Sequence, residues 1–200
     1  MEYFTRVLFG IANSLLVPDI VMLILLFFRA LWLLFTTYGN LMTRRKERQL
    51  FGNLIATLTP SGVDTLRQQL PEKPGSLFAR YLSLLLSHQP DEAYADYLIT
   101  QYETEAAKET NLSRLLAKLG PVLGLIGTLI SMSPALVGLS NGDIAGMAYN
   151  MQVVFSATVV GLLISAVGLF TLQLKQRWFA IDANQLDYVA RMINRKEAES

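Results

Sequence analysis

The sequence predicts an all-α integral membrane protein: three transmembrane helices with long cytoplasmic helical extensions, N-terminus out and C-terminus in. Three observations lead there. Hydrophobic residues make up 52% of the 200 and charged residues only 16%, whereas soluble domains are about a quarter charged. Three stretches, 19–38, 120–140 and 148–174, reach the roughly 20 predominantly apolar residues that cross a bilayer core. The basic residues also fall on one side. Arg44, Arg45, Lys46 and Arg48 follow the first stretch, Arg114 and Lys118 precede the second, and Lys175 and Arg177 follow the third, while Asn141-Gly-Asp143 has neither Lys nor Arg.

Residues 1–18 place Phe4, Val7, Leu8, Ile11, Leu15 and Leu16 at helical spacing around Arg6, Asn13 and Ser14. This reads as an amphipathic helix on the outer membrane face, broken at Pro18, with Asp19 capping the first transmembrane helix, 19–38. One continuous tilted helix over 7–38 is the alternative. Arg29 is an intramembrane charge that costs a few kcal/mol or more unless it is relieved. Its long stem reaches lipid phosphates or a cytoplasmic crevice, or it pairs with an acid on another subunit.

Residues 39–119 form a cytoplasmic helical region. Leu41–Leu58 continues the first helix, and Thr59-Pro-Ser-Gly62 and Pro71-Glu-Lys-Pro-Gly75 are loops around a short helix, Val63–Leu70. Leu77–Ser87 is a second short helix, and Pro90-Asp91 opens a long one that runs through Lys118 into the second transmembrane helix. Ala93, Tyr97, Tyr102 and Leu112 are core contacts here. The second transmembrane helix, 120–140, is followed by a short periplasmic turn, 141–147, and the third, 148–174. A cytoplasmic C-terminal helix, 175–200, carries Trp178 and Phe179 at the inner interface.

Several chemistries are excluded. There is no Cys and a single histidine, His88, so no disulfide, thiolate metal site or imidazole chemistry is expected. No nucleophile–His pair, metal-ligand cluster or phosphate-binding glycine loop follows a strand, which argues against an enzyme, a bound metal or an organic cofactor. The net charge of +1 comes from segregated charges, and no nucleic-acid partner is expected.

What stands out is small residues inside spans. At about 100° per residue, Gly120, Gly124, Gly127, Thr128, Ser131, Ala135 and Gly138 share one arc of the second transmembrane helix. On the third, Ala157, Thr158, Gly161, Ser165 and Gly168 share another, with Gln152 in a polar stripe toward its outer half. Helix interiors avoid glycine unless backbones must approach closely. Thr128 and Thr158 carry hydroxyls on these faces, with Ser131 and Ser165 beyond them. Such hydroxyls serve water, protons or sodium, and they also bond back to a carbonyl one turn earlier or join helices. Both uses stay open on spacing alone. A chain with no carboxylate inside a span needs the ion-accepting acid from elsewhere.

Gly120-Pro-Val-Leu-Gly-Leu-Ile-Gly-Thr128 and Ser156-Ala-Thr-Val-Val-Gly-Leu162 resemble runs of the MotA/TolQ/ExbB proton channel family, Pro-x-x-Gly-Leu-x-Gly-Thr and Ala-Thr-Ala-x-Gly-Leu. Three spans rather than four resemble its TolQ/ExbB-like branch. The resemblance implies a homo-oligomer, a pentamer, in the bacterial inner membrane. It surrounds two copies of a single-span subunit similar to ExbD, TolR or MotB that bears an intramembrane Asp. It also implies that Thr128 and Thr158 line the path of H+ or Na+, and that ion flow drives mechanical work. Two family positions differ: Val153 replaces a Glu five residues before the third-span Thr, and Val167 replaces a Pro. The missing Glu supports a second reading, a non-conducting oligomeric scaffold or sensor of the same fold.

Overall fold

The structure, a computed structural model, describes residues 2–56, 62–68, 75–88 and 91–199. Every regular element there is helical: α1 (Glu2–Ala56), α2 (Val63–Gln68), α3 (Leu77–His88), α4 (Glu92–Ser140) and α5 (Ile144–Glu199). Ser14–Met42 of α1, the whole of α4, and Ile144–Arg195 of α5 are long and apolar enough to cross a membrane. The loops expected at 59–61 and 71–74, and Pro90, lie outside the described residues.

The helix ends follow from local chemistry. Ser76 Oγ accepts from the Ala79 amide at 3.2 Å and Asp91 Oδ1 from the Tyr94 amide at 3.0 Å, which caps α3 and α4. Between α4 and α5, Gly142 takes φ +75°. Its amide donates to Leu139 O at 3.1 Å and that of Asp143 to Gly138 O at 2.9 Å, a Schellman ending that satisfies two terminal carbonyls. Asp143 Oδ1 then accepts from the Gly146 amide at 2.8 Å. Because that cap starts α5 at Ile144, the turn is shorter than the 141–147 expected.

The break expected at Pro18 is absent. Pro18 lies inside α1, which runs unbroken from the first stretch into the second. Proline's fixed φ suits a helix, and one lost hydrogen bond costs less than a run of unpaired amides in apolar surroundings. Asp19 is therefore an interior residue of α1 and not its cap. His88 is the last residue of α3.

The chain divides into two compact units. One comprises Met1–Thr36 and Leu112–Leu172, and the other Thr37–Asn111 and Gln173–Ser200. The core of the first joins Leu23, Ala30 and Leu33 of α1 to Leu116 and Leu123 of α4 and Ala157 and Ile164 of α5. Its outward positions are also apolar, as Leu25, Phe28, Phe35, Leu129, Leu136 and Phe155 show by their exposure. A surface of that kind suits lipid or further helices rather than water. The second unit has an ordinary water-excluding core, in which Tyr81, Tyr102 and Leu82 are fully buried and Leu186 and Val189 of α5 close one side. Tyr102 meets Tyr81 edge-on at 5.5 Å and Phe179 at 6.3 Å. Phe179, expected at the membrane interface, is part of this core.

Candidate functional site

The small-residue faces of α4 and α5 lie against one another. A Cβ on Gly120 would come 2.5 Å from Gly161 O and 2.8 Å from Ser165 N. One on Gly161 would come 2.5 Å from Gly120 O and 2.9 Å from Gly124 Cα. A Cβ on Gly124 would sit 3.3 Å from Ala157 O, and Gly168 packs as closely on the backbone of Ser113 and Ala117. The obstructing atoms are mostly backbone, so no rotamer change makes room. Glycine at Gly120, Gly161 and Gly168 is what lets these helices touch.

The hydroxyls divide into two sets. Ser165 Oγ donates across to Ala117 O at 2.9 Å, and Thr171 Oγ1 to Ser113 Oγ at 3.1 Å. Both tie α5 to α4. Thr128 Oγ1 donates to Leu125 O at 2.7 Å and Thr158 Oγ1 to Val154 O at 3.1 Å, each within its own helix. Donating backward leaves each threonine oxygen free to accept from another donor. Both threonines are only half-buried, whereas Ser131 is buried to 2% exposure. Gln152 is exposed, its carbonyl accepting from Ser156. Arg29 is exposed and makes no ion pair among the described residues.

A residue that spacing had assigned to a cap lies at the centre of this site. Asp19 is only 6% exposed and sits within the candidate span Ser14–Met42. Neither carboxyl oxygen has a hydrogen-bond partner among the described residues. A Cβ on Gly127 would come 2.9 Å from Asp19 Oδ2 and 2.9 Å from Ala157 Cβ, so the space Gly127 leaves open is where α1, α4 and α5 converge. Against the expectation of spans without carboxylates, the candidate span Ser14–Met42 includes one. The signal was present: Asp19, Leu23, Leu26, Ala30, Leu33 and Thr37 recur at alternating spacings of four and three, the period of a buried helix seam.

The second unit holds a polar cluster of its own. Arg44 donates from Nη1 to Asp182 Oδ2 at 2.5 Å, and Tyr102 donates its hydroxyl to the same oxygen at 3.0 Å. The guanidinium lies 5.4 Å from the ring centre of Trp178 and 5.1 Å from that of Phe179. Burial, with the Asp182 carboxylate next, pushes the Tyr102 phenol above its usual range, so it stays a donor at neutral pH. Lys175 Nζ donates to Glu109 O at 3.2 Å. Arg44, Glu109, Lys175 and Trp178 line a cavity of about 220 Å³. Arg44 and Lys175 had entered only as markers of orientation. No group of three or more potential metal ligands occurs among the described residues.

A family model described as the MotA/TolQ/ExbB proton channel family matches residues 73–187, more than half of the chain. The chain belongs to the MotA/TolQ/ExbB proton channel family. This is a channel and transport family rather than an enzyme family, whose members form oligomeric channels with a partner subunit, and an ion-channel-type role in a membrane follows from membership. The family match covers both threonine runs and begins well after Asp19 and Arg29. A comparison with curated proteins returned no match.

Proposed function

We propose that this chain is the ion-conducting, stator-like subunit of a bacterial inner-membrane motor of the TolQ/ExbB-like branch. In this reading five copies enclose two single-span subunits similar to ExbD, TolR or MotB, each bearing an intramembrane Asp. Protons, or sodium ions, pass to and from that Asp along a path lined by Thr128, Thr158 and Ser131, with Gln152 toward its outer end. The orientation is N-terminus out, with residues 39–119 and 175–200 in the cytoplasm. Flow drives rotation of the enclosed helices and so mechanical work.

The observation that carries this reading is the pair of half-buried threonines, each in a family run and each with its oxygen open to a further donor. A hydroxyl stabilises a passing ion without the desolvation cost of a fixed charge. Ser165 is given a different part: its hydroxyl is committed to Ala117 O and serves packing.

The test is ion flux into vesicles made from cells that produce the chain with its single-span subunit. Thr128→Val and Thr158→Val, which keep shape and remove the hydroxyl, are expected to cut flux at least about tenfold, or 1.4 kcal/mol in barrier. Unchanged flux in both would favour the second reading, a non-conducting oligomeric scaffold or sensor. The observation that favours that second reading is Val153, an apolar residue where related chains carry an acid.

A further inference from the structure

The least explained group in the molecule is the carboxyl of Asp19. It is buried, lies inside a stretch long and apolar enough to cross a membrane, and has neither oxygen paired among the described residues. An ionised carboxylate in such a place is expensive unless it meets a cation, a donor or a proton. The spans of α4 and α5 offer it no charged partner. Between Gly120 and Ser140, and between Ile144 and Leu174, the sequence contains no Asp, Glu, Lys, Arg or His. Tyr149, the one titratable side chain there, is exposed. On α1 itself Arg29 is exposed and lies ten residues along, away from the buried stripe.

Nor does the carboxyl hold the fold together. A leucine would fill the seam without leaving two acceptors unsatisfied. The carboxyl fits because Gly127 lacks the side chain that would collide with Oδ2, and Ala157 brings only a methyl to the same place. Thr128 follows Gly127 in α4 and Thr158 follows Ala157 in α5, so each threonine is the next residue after one that borders the place where Oδ2 lies. A sodium ion wants several oxygen ligands, and the nearest atoms about Gly127 other than Asp19 Oδ2 are carbons of Ala157 and Leu23. A proton needs only the carboxyl.

We infer that Asp19 is a proton-binding carboxyl of this chain's own, placed between α1, α4 and α5 beside the two threonines. This rests on the channel reading only for its place in a path; that the site takes up and returns a proton stands on the burial and the missing partners. Each subunit then contributes an acid from its first helix, where Val153 on α5 contributes none.

Two measurements test it. The first treats the full-length chain in lipid nanodiscs with dicyclohexylcarbodiimide, which adds to protonated carboxyls in apolar surroundings, and locates the adduct by mass spectrometry. An adduct at Asp19 whose rate of formation falls at least tenfold from acid to alkaline pH, unchanged by sodium chloride, is the expected result. No adduct at Asp19, as for a carboxylate paired with a cation from another chain, overturns the inference, and so does protection by sodium.

The second compares proton flux of Asp19→Asn and Asp19→Glu in the vesicles described above. Asp19→Asn is expected to lose at least tenfold and Asp19→Glu to recover part of it. If wild-type vesicles conduct and Asp19→Asn conducts equally well, the carboxyl is not in the path. If Asp19 is labelled as expected while wild-type vesicles carry no proton or sodium current, the proton site stands and the channel reading falls.

Discussion

Gly161→Ala adds one methyl group where the structure has no room for it. Its carbon would lie 2.5 Å from Gly120 O and 2.9 Å from Gly124 Cα, against an ordinary contact of about 3.5–4 Å. Both obstacles belong to the backbone of α4, so relief requires the two helices to move apart by most of an ångström, opening every close contact between Gly120 and Gly168. Overpacking of this kind costs about 1–3 kcal/mol, and the absence of a movable side chain puts this site in the upper part of that range. Alanine is the better helix former by about 1 kcal/mol, which offsets part of it. The net expectation is a loss of about 1–2 kcal/mol, or roughly 2–8 °C in unfolding temperature. The assay is thermal unfolding of the full-length chain in detergent, followed by circular dichroism. Gly10→Ala serves as the control, because nothing among the described residues lies within 4 Å of a Cβ there, and propensity alone predicts a small gain. If Gly161→Ala proves as stable as Gly10→Ala, the helices do not meet along this line and the reasoning fails.

Two further outcomes separate packing from transport. Ser165→Ala removes the hydrogen bond to Ala117 O and should cost about 0.6 kcal/mol, the average for such bonds between membrane helices, with ion flux retained; a flux loss matching that of Thr158→Val would put Ser165 in the path. Asp182→Ala leaves the Arg44 guanidinium and the Tyr102 hydroxyl without their shared acceptor and should cost about 1–3 kcal/mol of stability, read by the same unfolding assay. Asp182→Asn, which keeps an oxygen in place, should lose less.

The individual helices were legible because their causes are local. Apolar runs and basic flanks mark the spans, Ser76 and Asp91 stand where caps belong, and Gly142 supplies the left-handed residue that the α4–α5 turn requires. The small faces of α4 and α5 were legible for the same reason, since periodicity within one helix shows which residues share an arc. Pro18 misled because a breaker is judged by its neighbours in sequence, whereas α1 continues through it under the demand that apolar surroundings place on backbone hydrogen bonds.

Sequence alone determined that this is a helical membrane chain of three spans whose glycines exist for close approach. It also marked two threonines on those glycine faces. Only the tertiary structure decided which of those residues meet. Ser165 reaches Ala117, 48 residues away, and joins α5 to α4, while Gly127 and Ala157 make room for a carboxyl from the other end of the chain. The physical reason is that a helix's own pattern shows which side chains share a face, but not which face turns toward which neighbour. For Asp19 that difference separates a helix cap in water from an unpaired acid in the midst of three packed helices.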